Sequence, residues 1–234
     1  VAEFLLPRVK VCGVRRFADI EVALGLEARD ASGAPNSSGA PDAIGLVAWR
    51  ESPRFVDARV ASEIVRRLPA SILPVAVMVD VSPRAASEWS TAAGCRAVQL
   101  CGAEEPSEWR GFPSPILRRV AVDRGARVEL AAWRGIAAGF VLDHPSAHGG
   151  TGIGVDLDLA AELSSAAPCL LAGGLDAENV AERIARVRPW GVDASSRLET
   201  APGVKDPERV AAFVCRARSA LARTNAPLES ERRS

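Results

Sequence analysis

The chain has no surplus of either charge: 29 Lys and Arg stand against 29 Asp and Glu in 234 residues. Nucleic-acid and membrane-surface binding rests on excess Lys and Arg, so this balance argues against both partners, while leaving room for a local cationic pocket. No apolar stretch reaches the roughly 18–20 residues that a membrane span needs. No basic start with a long apolar run marks a secretory signal. The five cysteines, Cys12, Cys95, Cys101, Cys169 and Cys215, are odd in number and contain no C-x-x-C pair. That argues against a disulfide framework and for reduced thiols in a cytoplasmic protein. The two histidines, His144 and His148, lie four apart with no clear third ligand, so no metal is expected.

What the chain does have is apolar content, 48% of residues, enough for a sizeable core. It falls into eight short, near-continuous runs: Arg8–Cys12, Ala43–Val47, Leu73–Val79, Arg96–Leu100, Ile116–Val122, Ala138–Asp143, Pro168–Ala172 and Gly191–Ala194. Helical patterns separate them at Phe17–Ala28, Asp57–Leu68, Pro83–Ala93 and Asp176–Val187, with a last helix opening at Asp206-Pro207. Glu105–Arg110 and Arg127–Trp133 are thinner on helix. Ser82-Pro83 supplies an N-cap followed by a favoured first-turn proline. Strands alternating with helices call for parallel pairing and right-handed crossovers, and apolar runs without alternation suit strands buried on both faces. The expected fold is therefore α/β, a single (β/α)8 TIM barrel of the phosphate-binding type over residues 1–222. A doubly wound sheet is disfavoured because no G-x-G-x-x-G follows the first strand. Residues 29–41, rich in Gly, Ser, Pro and Ala, are expected to form a flexible insert, and 223–234 a disordered tail.

Two late strands end in small residues, Cys169-Leu-Leu-Ala-Gly-Gly174 and Val192-Asp-Ala-Ser-Ser196. Small residues let backbone N–H groups approach an anion, and a following helix start adds partial positive charge. Two such turns in succession are what a barrel phosphate site needs, so a phosphorylated small molecule is the expected partner. Reactive side chains at the other strand ends are Cys12, Gln99 and Asp143, with Arg54 in the loop after the second strand and Gly150 in the Gly-rich loop after the sixth. A thiol and a carboxyl at one barrel mouth can act as base and acid. On position alone Cys12 also fits a small buried apolar residue. An acid ending an apolar strand, as Asp143 does, needs a partner or a task. Asp193, beside the second small-residue turn, suits a role in orienting that backbone. Arg66-Arg67, Arg118-Arg119 and Arg232-Arg233 are expected at the surface, and the five tryptophans to serve packing.

In this order along the chain, Val9-Lys-Val-Cys-Gly-Val14, Ser52-Pro-Arg54, Ala97-Val-Gln-Leu100 with Gly102, Leu142-Asp143 before Gly149-Gly-Thr-Gly152, Leu171-Ala-Gly-Gly-Leu175, Val192-Asp-Ala-Ser-Ser196 and Pro202-Gly-Val-Lys-Asp206 form an ordered set. It resembles the phosphoribosylanthranilate isomerases of tryptophan biosynthesis, from about Val9 to Ala220. The resemblance implies an Amadori rearrangement of an aminoaldose to an aminoketose, without cofactor or metal. By that likeness Asp143 is the general acid and Cys12 the general base, Arg54 holds the anthranilate carboxylate, and Gly173-Gly174 with Ser195-Ser196 hold the phosphate.

This sequence departs from the family pattern at five places. Arg15 stands for a usual Thr, Cys101 for a His, Ile153 for a Lys, Val155-Asp-Leu157 for an aromatic-Asp-Trp, and Arg197 for a Gly. Arg197 at a helix start could strengthen phosphate binding through its charge or crowd the site. The alternative expectation is a non-catalytic or altered-substrate paralogue that binds a phosphorylated sugar; the retained Cys12 and Asp143 count against it. A monomer and a homodimer are both compatible with the sequence.

Overall fold

A computed structural model describes residues 4–24, 40–145 and 154–224. The bulk of the expected insert and tail, as well as His148, Gly150 and Ile153, lies outside the described residues. Eight parallel strands close into a barrel in sequential order: β1 (Val9–Cys12), β2 (Ala43–Val47), β3 (Leu73–Met78), β4 (Ala97–Leu100), β5 (Ile116–Ala121), β6 (Gly139–Asp143), β7 (Cys169–Leu171) and β8 (Gly191–Ala194). Closure runs through β1 and β8, where Lys10 pairs with Asp193 and Val11 with Ala194. Each strand falls within two residues of its sequence expectation.

Alternation along each strand divides the side chains between two cores. Outward residues such as Val9, Val11, Ile44, Leu46, Val98 and Leu142 pack under the helices in one continuous cluster. Inward residues stack in layers. The lower interior holds Leu6, Ala43, Val75, Ala97, Leu117, Val141 and Leu170, and a smaller apolar group of Val47, Val77 and Cys101 sits nearer the mouth, with Cys12 and Trp49 against it. Every inward position follows the parity of Cys12, Gln99, Asp143 and Asp193. The pleat thus delivers these polar groups to the barrel axis.

The helices are α1 (Ala18–Leu24), α2 (Ala58–Val65), α3 (Pro83–Ala93), α4 (Ala126–Ala132), α5 (Leu157–Ala166), α6 (Val180–Val187) and α7 (Pro207–Thr224). Asp57 caps α2 by accepting from Val60 N, and Ser82 caps α3 by accepting from Ala85 N. Gly94, at φ 76°, ends α3 in the left-handed conformation that glycine takes freely. Asp206 caps α7, accepting from Glu208 N and Arg209 N.

Two expectations need correction, and two elements were not expected. Asp176 does not open α6: its Oδ1 accepts from Glu178 N and Asn179 N in a separate turn, and the helix starts at Val180. Asp57–Leu68 shortens to Ala58–Val65, because Arg67 N and Leu68 N bond three residues back and tighten the end into turns. Helix α5, capped by Asp156, had no sequence expectation. Its Leu, Ala and Ser residues give little contrast between faces. Nor had the antiparallel hairpin of β9 (Glu199–Ala201) and β10 (Val204–Lys205), which follows a 3-10 turn at Ser196–Leu198. Among the described residues no helix is long and apolar enough to cross a membrane.

Candidate active site

One cavity occupies the C-terminal mouth of the barrel. Cys12, Arg54, Gln99, Asp143, Gly173, Gly174, Asp193, Ser195 and Ser196 all line it. Of the candidate site residues only Gly150 is not placed, since it lies outside the described residues.

Cys12 sits where the backbone crowds. Gly13 takes φ 78°, and the N–H groups of Gly13 and Val14 both donate to the carbonyl of Gly45, at 2.9 and 3.0 Å. A Cβ on Gly13 would lie 2.5 Å from Arg54 Cδ and 3.2 Å from Ser195 Oγ. A Cβ on Gly45 would lie 2.7 Å from Cys12 Sγ. Glycine at both positions is what lets the thiol, the guanidinium and the serine hydroxyl converge. Burial pushes the Cys12 thiol up; Lys10 pulls it back, Asp193 adds to the rise, and Lys205 and Arg54 pull it down again.

Asp143 closes β6. Its Oδ1 accepts from His144 N at 2.8 Å, and Oδ2 lies 3.4 Å from Arg119 Nε. Arg119 in turn donates to the His144 carbonyl at 2.7 Å. Arg118 and Arg119 are therefore not the surface pair that adjacent arginines suggested. Arg118 is buried, held by Glu104 at 2.6 Å and Glu129 at 2.7 Å and stacked on Trp133, while Arg119 lines the cavity. Strand alternation sends the two to opposite sides of β5. Trp49 also lines the cavity rather than serving the outer core.

Below the mouth, Lys10 and Asp193 form a buried ion pair at 2.8 Å. Burial alone would pull the Lys10 ammonium down, but the Asp193 carboxylate outweighs it and keeps Lys10 protonated. The Asp193 carboxylate thus bonds Lys10 rather than the backbone of the neighbouring turn. Among the described residues its Oδ1 is buried without a partner, as is Gln99 Oε1. Two orphaned acceptors in a cavity wall suit a ligand that carries hydroxyl or N–H donors. Gln99 Nε2 lies 3.3 Å from Cys101 Sγ, and burial pushes that thiol up to about 12.

The Gly173-Gly174 turn takes φ 81° and 65°. Its two carbonyls are tied back, Gly173 O to Arg183 Nη1 at 2.9 Å and Gly174 O to Asn179 Nδ2 at 2.8 Å. Oxygens that would repel an anion are thereby engaged elsewhere. Ser195 and Ser196, after the neighbouring strand β8, line the same cavity, and Arg197 beside them is half-exposed with its Nη1 3.3 Å from Asp176 Oδ2.

Arg54 presents Nε and Nη2 to Glu199 as a bidentate pair, at 2.7 and 2.8 Å. The planar anion in its fork is thus the protein's own, and Nη1 is left for a further acceptor. Sequence reasoning missed Lys10, Arg119, Glu199 and Lys205. Lys10 was within reach of it: two residues before Cys12 on a strand means the same face. Lys205 stood in the quoted Pro202–Asp206 motif without a role.

A parallel eight-stranded barrel with a thiol, a carboxyl and two small-residue turns at one mouth is built as an enzyme acting on a small anion-bearing molecule. The family model for N-(5'-phosphoribosyl)anthranilate (PRA) isomerase matches residues 10–216. The chain is 37% identical to the N-(5'-phosphoribosyl)anthranilate isomerase of Myxococcus xanthus, covering 91% of this chain and 96% of that one. To the one from Acidithiobacillus ferrooxidans it is 38% identical, covering 90% and 97%. The crystal structure of phosphoribosyl anthranilate isomerase from Thermotoga maritima superposes with a TM-score of 0.78 at 28% identity, covering 92% of this chain and all of that one. A phosphoribosyl anthranilate isomerase in complex with reduced 1-(o-carboxyphenylamino)-1-deoxyribulose 5-phosphate superposes at 0.75, also at 28% identity, covering 92% of this chain and 100% of that one. This chain belongs to the N-(5'-phosphoribosyl)anthranilate isomerase family.

Proposed function

We propose that the protein converts N-(5-phosphoribosyl)anthranilate to 1-(2-carboxyphenylamino)-1-deoxyribulose 5-phosphate. The observation that carries this reading is the convergence of Cys12 and Asp143, from strands that are not neighbours, on one cavity that also contains both small-residue turns. Asp143 protonates the ribose ring oxygen; the furanose opens to a Schiff base. Cys12 removes the proton from sugar carbon 2, giving an enolamine that tautomerises to the ketone. In the first step the ring C–O bond breaks as the nitrogen lone pair forms the C=N bond, and the second only moves protons; no electrons are gained or lost overall, so neither needs a redox or metal centre. The phosphate rests on Gly173, Gly174, Ser195 and Ser196, Arg54 Nη1 meets the anthranilate carboxylate, and the free oxygens of Gln99 and Asp193 accept from the substrate's N–H and hydroxyl groups. Gly150 belongs with this binding set by resemblance. We place the protein in the cytoplasm on its use of five free thiols. The non-catalytic alternative is not favoured, since both reactive groups line the cavity.

The direct test follows the fluorescence of freshly generated phosphoribosylanthranilate. Wild-type protein is expected to abolish it rapidly. Asp143→Asn is expected to slow the decay by about 10²–10⁴-fold, the usual share of a general acid. An unchanged rate would remove Asp143 from the mechanism. A second prediction follows from the crowding at Gly45. The Ala methyl in Gly45→Ala would press on Sγ from 2.7 Å and on Val77 Cγ2 from 3.2 Å. Displacing a reacting group by about 1 Å costs on the order of 10²-fold. Such a loss in kcat with a cooperative unfolding transition retained is the expected outcome.

A further inference from the structure

The hairpin of β9 and β10 lies as a strap against the loop that holds Arg54. A Cβ on Gly203, at its tip, would sit 2.3 Å from the Pro53 carbonyl. From its two ends the hairpin sends Glu199 and Lys205 inward, both buried. Lys205 Nζ bonds Glu199 Oε1 at 2.7 Å, Ser195 O at 3.1 Å and Ser195 Oγ at 3.3 Å. Ser195 Oγ then donates to the Cys12 carbonyl at 3.0 Å. A single ammonium thus joins the Arg54 carboxylate partner, the second small-residue turn and the backbone of the thiol.

The charges here do not balance. Lys10 is neutralised by Asp193. Arg54 and Lys205, two cations, share one carboxylate, Glu199, through the same Oε1. The trio keeps one net positive charge in a poorly solvated wall. The ionisable groups that line the cavity with Cys12 or act on it are Lys10 on its own strand, Arg54 after β2, Cys101 just after β4, Arg119 on β5 paired with Asp143 on β6, Asp193 on β8 and Lys205 on β10. We infer that Lys205 is a positioning residue for the reaction: it locks Ser195 to the backbone of Cys12 and supplies the uncompensated positive charge beside the thiol. Burial holds the Lys205 ammonium below its ordinary value; Glu199 and Cys12 recover only part of that fall, and Arg54 adds to it. The stored charge is discharged when Cys12 becomes a thiolate, and the same ammonium braces the turn that meets the phosphate.

The inference rests on Cys12 being the base, yet its test needs no substrate. Only the thiolate reacts with iodoacetamide, so labelling rate against pH reports thiolate formation. Cys12 labelling would be followed from pH 6 to 11 by peptide mass spectrometry, which separates it from Cys101. In Lys205→Met the midpoint is expected to rise by about one pH unit, the lower end of what a neighbouring opposite charge supplies. Labelling at pH 8 then slows about tenfold. Lys205→Arg keeps the charge and is expected to restore the midpoint. If the Met variant does not fold, Lys205→Gln, which keeps N–H donors for Ser195 and Glu199, carries the same expectation. A folded Met or Gln variant with the wild-type midpoint, or an Arg variant that behaves like Met, would overturn the assignment. A failed fluorescence assay with the midpoint shift intact would instead strike at the isomerase reading alone.

Discussion

Cys12→Ser is expected to lower kcat by about 10²–10⁴-fold, the range of a lost general base, with affinity for a product analogue nearly unchanged. The pattern follows from the role proposed for the thiol. A base that removes a proton from carbon stabilises the transition state, while on the same proposal the ground state is held by the turns and the cationic wall. Serine fills nearly the same space, so the close approach of Gly45 to the side chain survives. What changes is acidity: an aliphatic hydroxyl gives up its proton far less readily than a thiol, even beside Lys10, Lys205 and Arg54. Stopped-flow fluorescence gives kcat, and competition with a reduced product analogue gives affinity. A fully active serine variant would take the thiol out of the mechanism. Equal losses in rate and affinity would make Cys12 a packing residue instead.

The parts of this molecule legible in the sequence are those that depend on near neighbours along the chain. Uninterrupted apolar runs such as Leu73–Met78 mark strands covered on both faces, and the caps Asp57, Ser82 and Asp206 lie beside the helices they begin. Parity along a strand then carries Cys12, Gln99, Asp143 and Asp193 to one axis without any knowledge of contacts. The electrostatic wall is a different matter. Arg54 meets Glu199 across 145 residues, and Lys10 meets Asp193 across 183. No local pattern encodes such pairs, because the attraction arises only once barrel closure has brought β1 against β8 and the hairpin against the loop after β2. Arg118 makes the same point in reverse. An Arg-Arg step reads as solvated surface, yet β5 turns one guanidinium to Glu104 and Trp133 and the other to the cavity.

Glu199 is where that wall is most exposed to a single change. Glu199→Ala removes the one carboxylate that serves both Arg54 and Lys205, leaving two cations with little access to water. Breaking a buried pair from one side costs about 3–5 kcal/mol, chiefly because the stranded partner keeps its desolvation penalty. Urea unfolding at pH 7 is expected to show a loss of that size. The pH dependence follows from the same geometry. Burial alone would push the Glu199 carboxyl up, but hydrogen bonds from Arg54 and Lys205 outweigh it and hold it below the usual range. A carboxyl lowered on folding stabilises the native state fully above its unfolded value of about 4.3, and that contribution is lost as pH falls through the folded value. The gap between wild type and Glu199→Ala should therefore be constant from pH 7 to about 5 and shrink as the pH drops further, because protonated Glu199 no longer compensates either cation. A gap that stayed constant down to pH 3 would mean that Glu199 contributes through packing and not through charge.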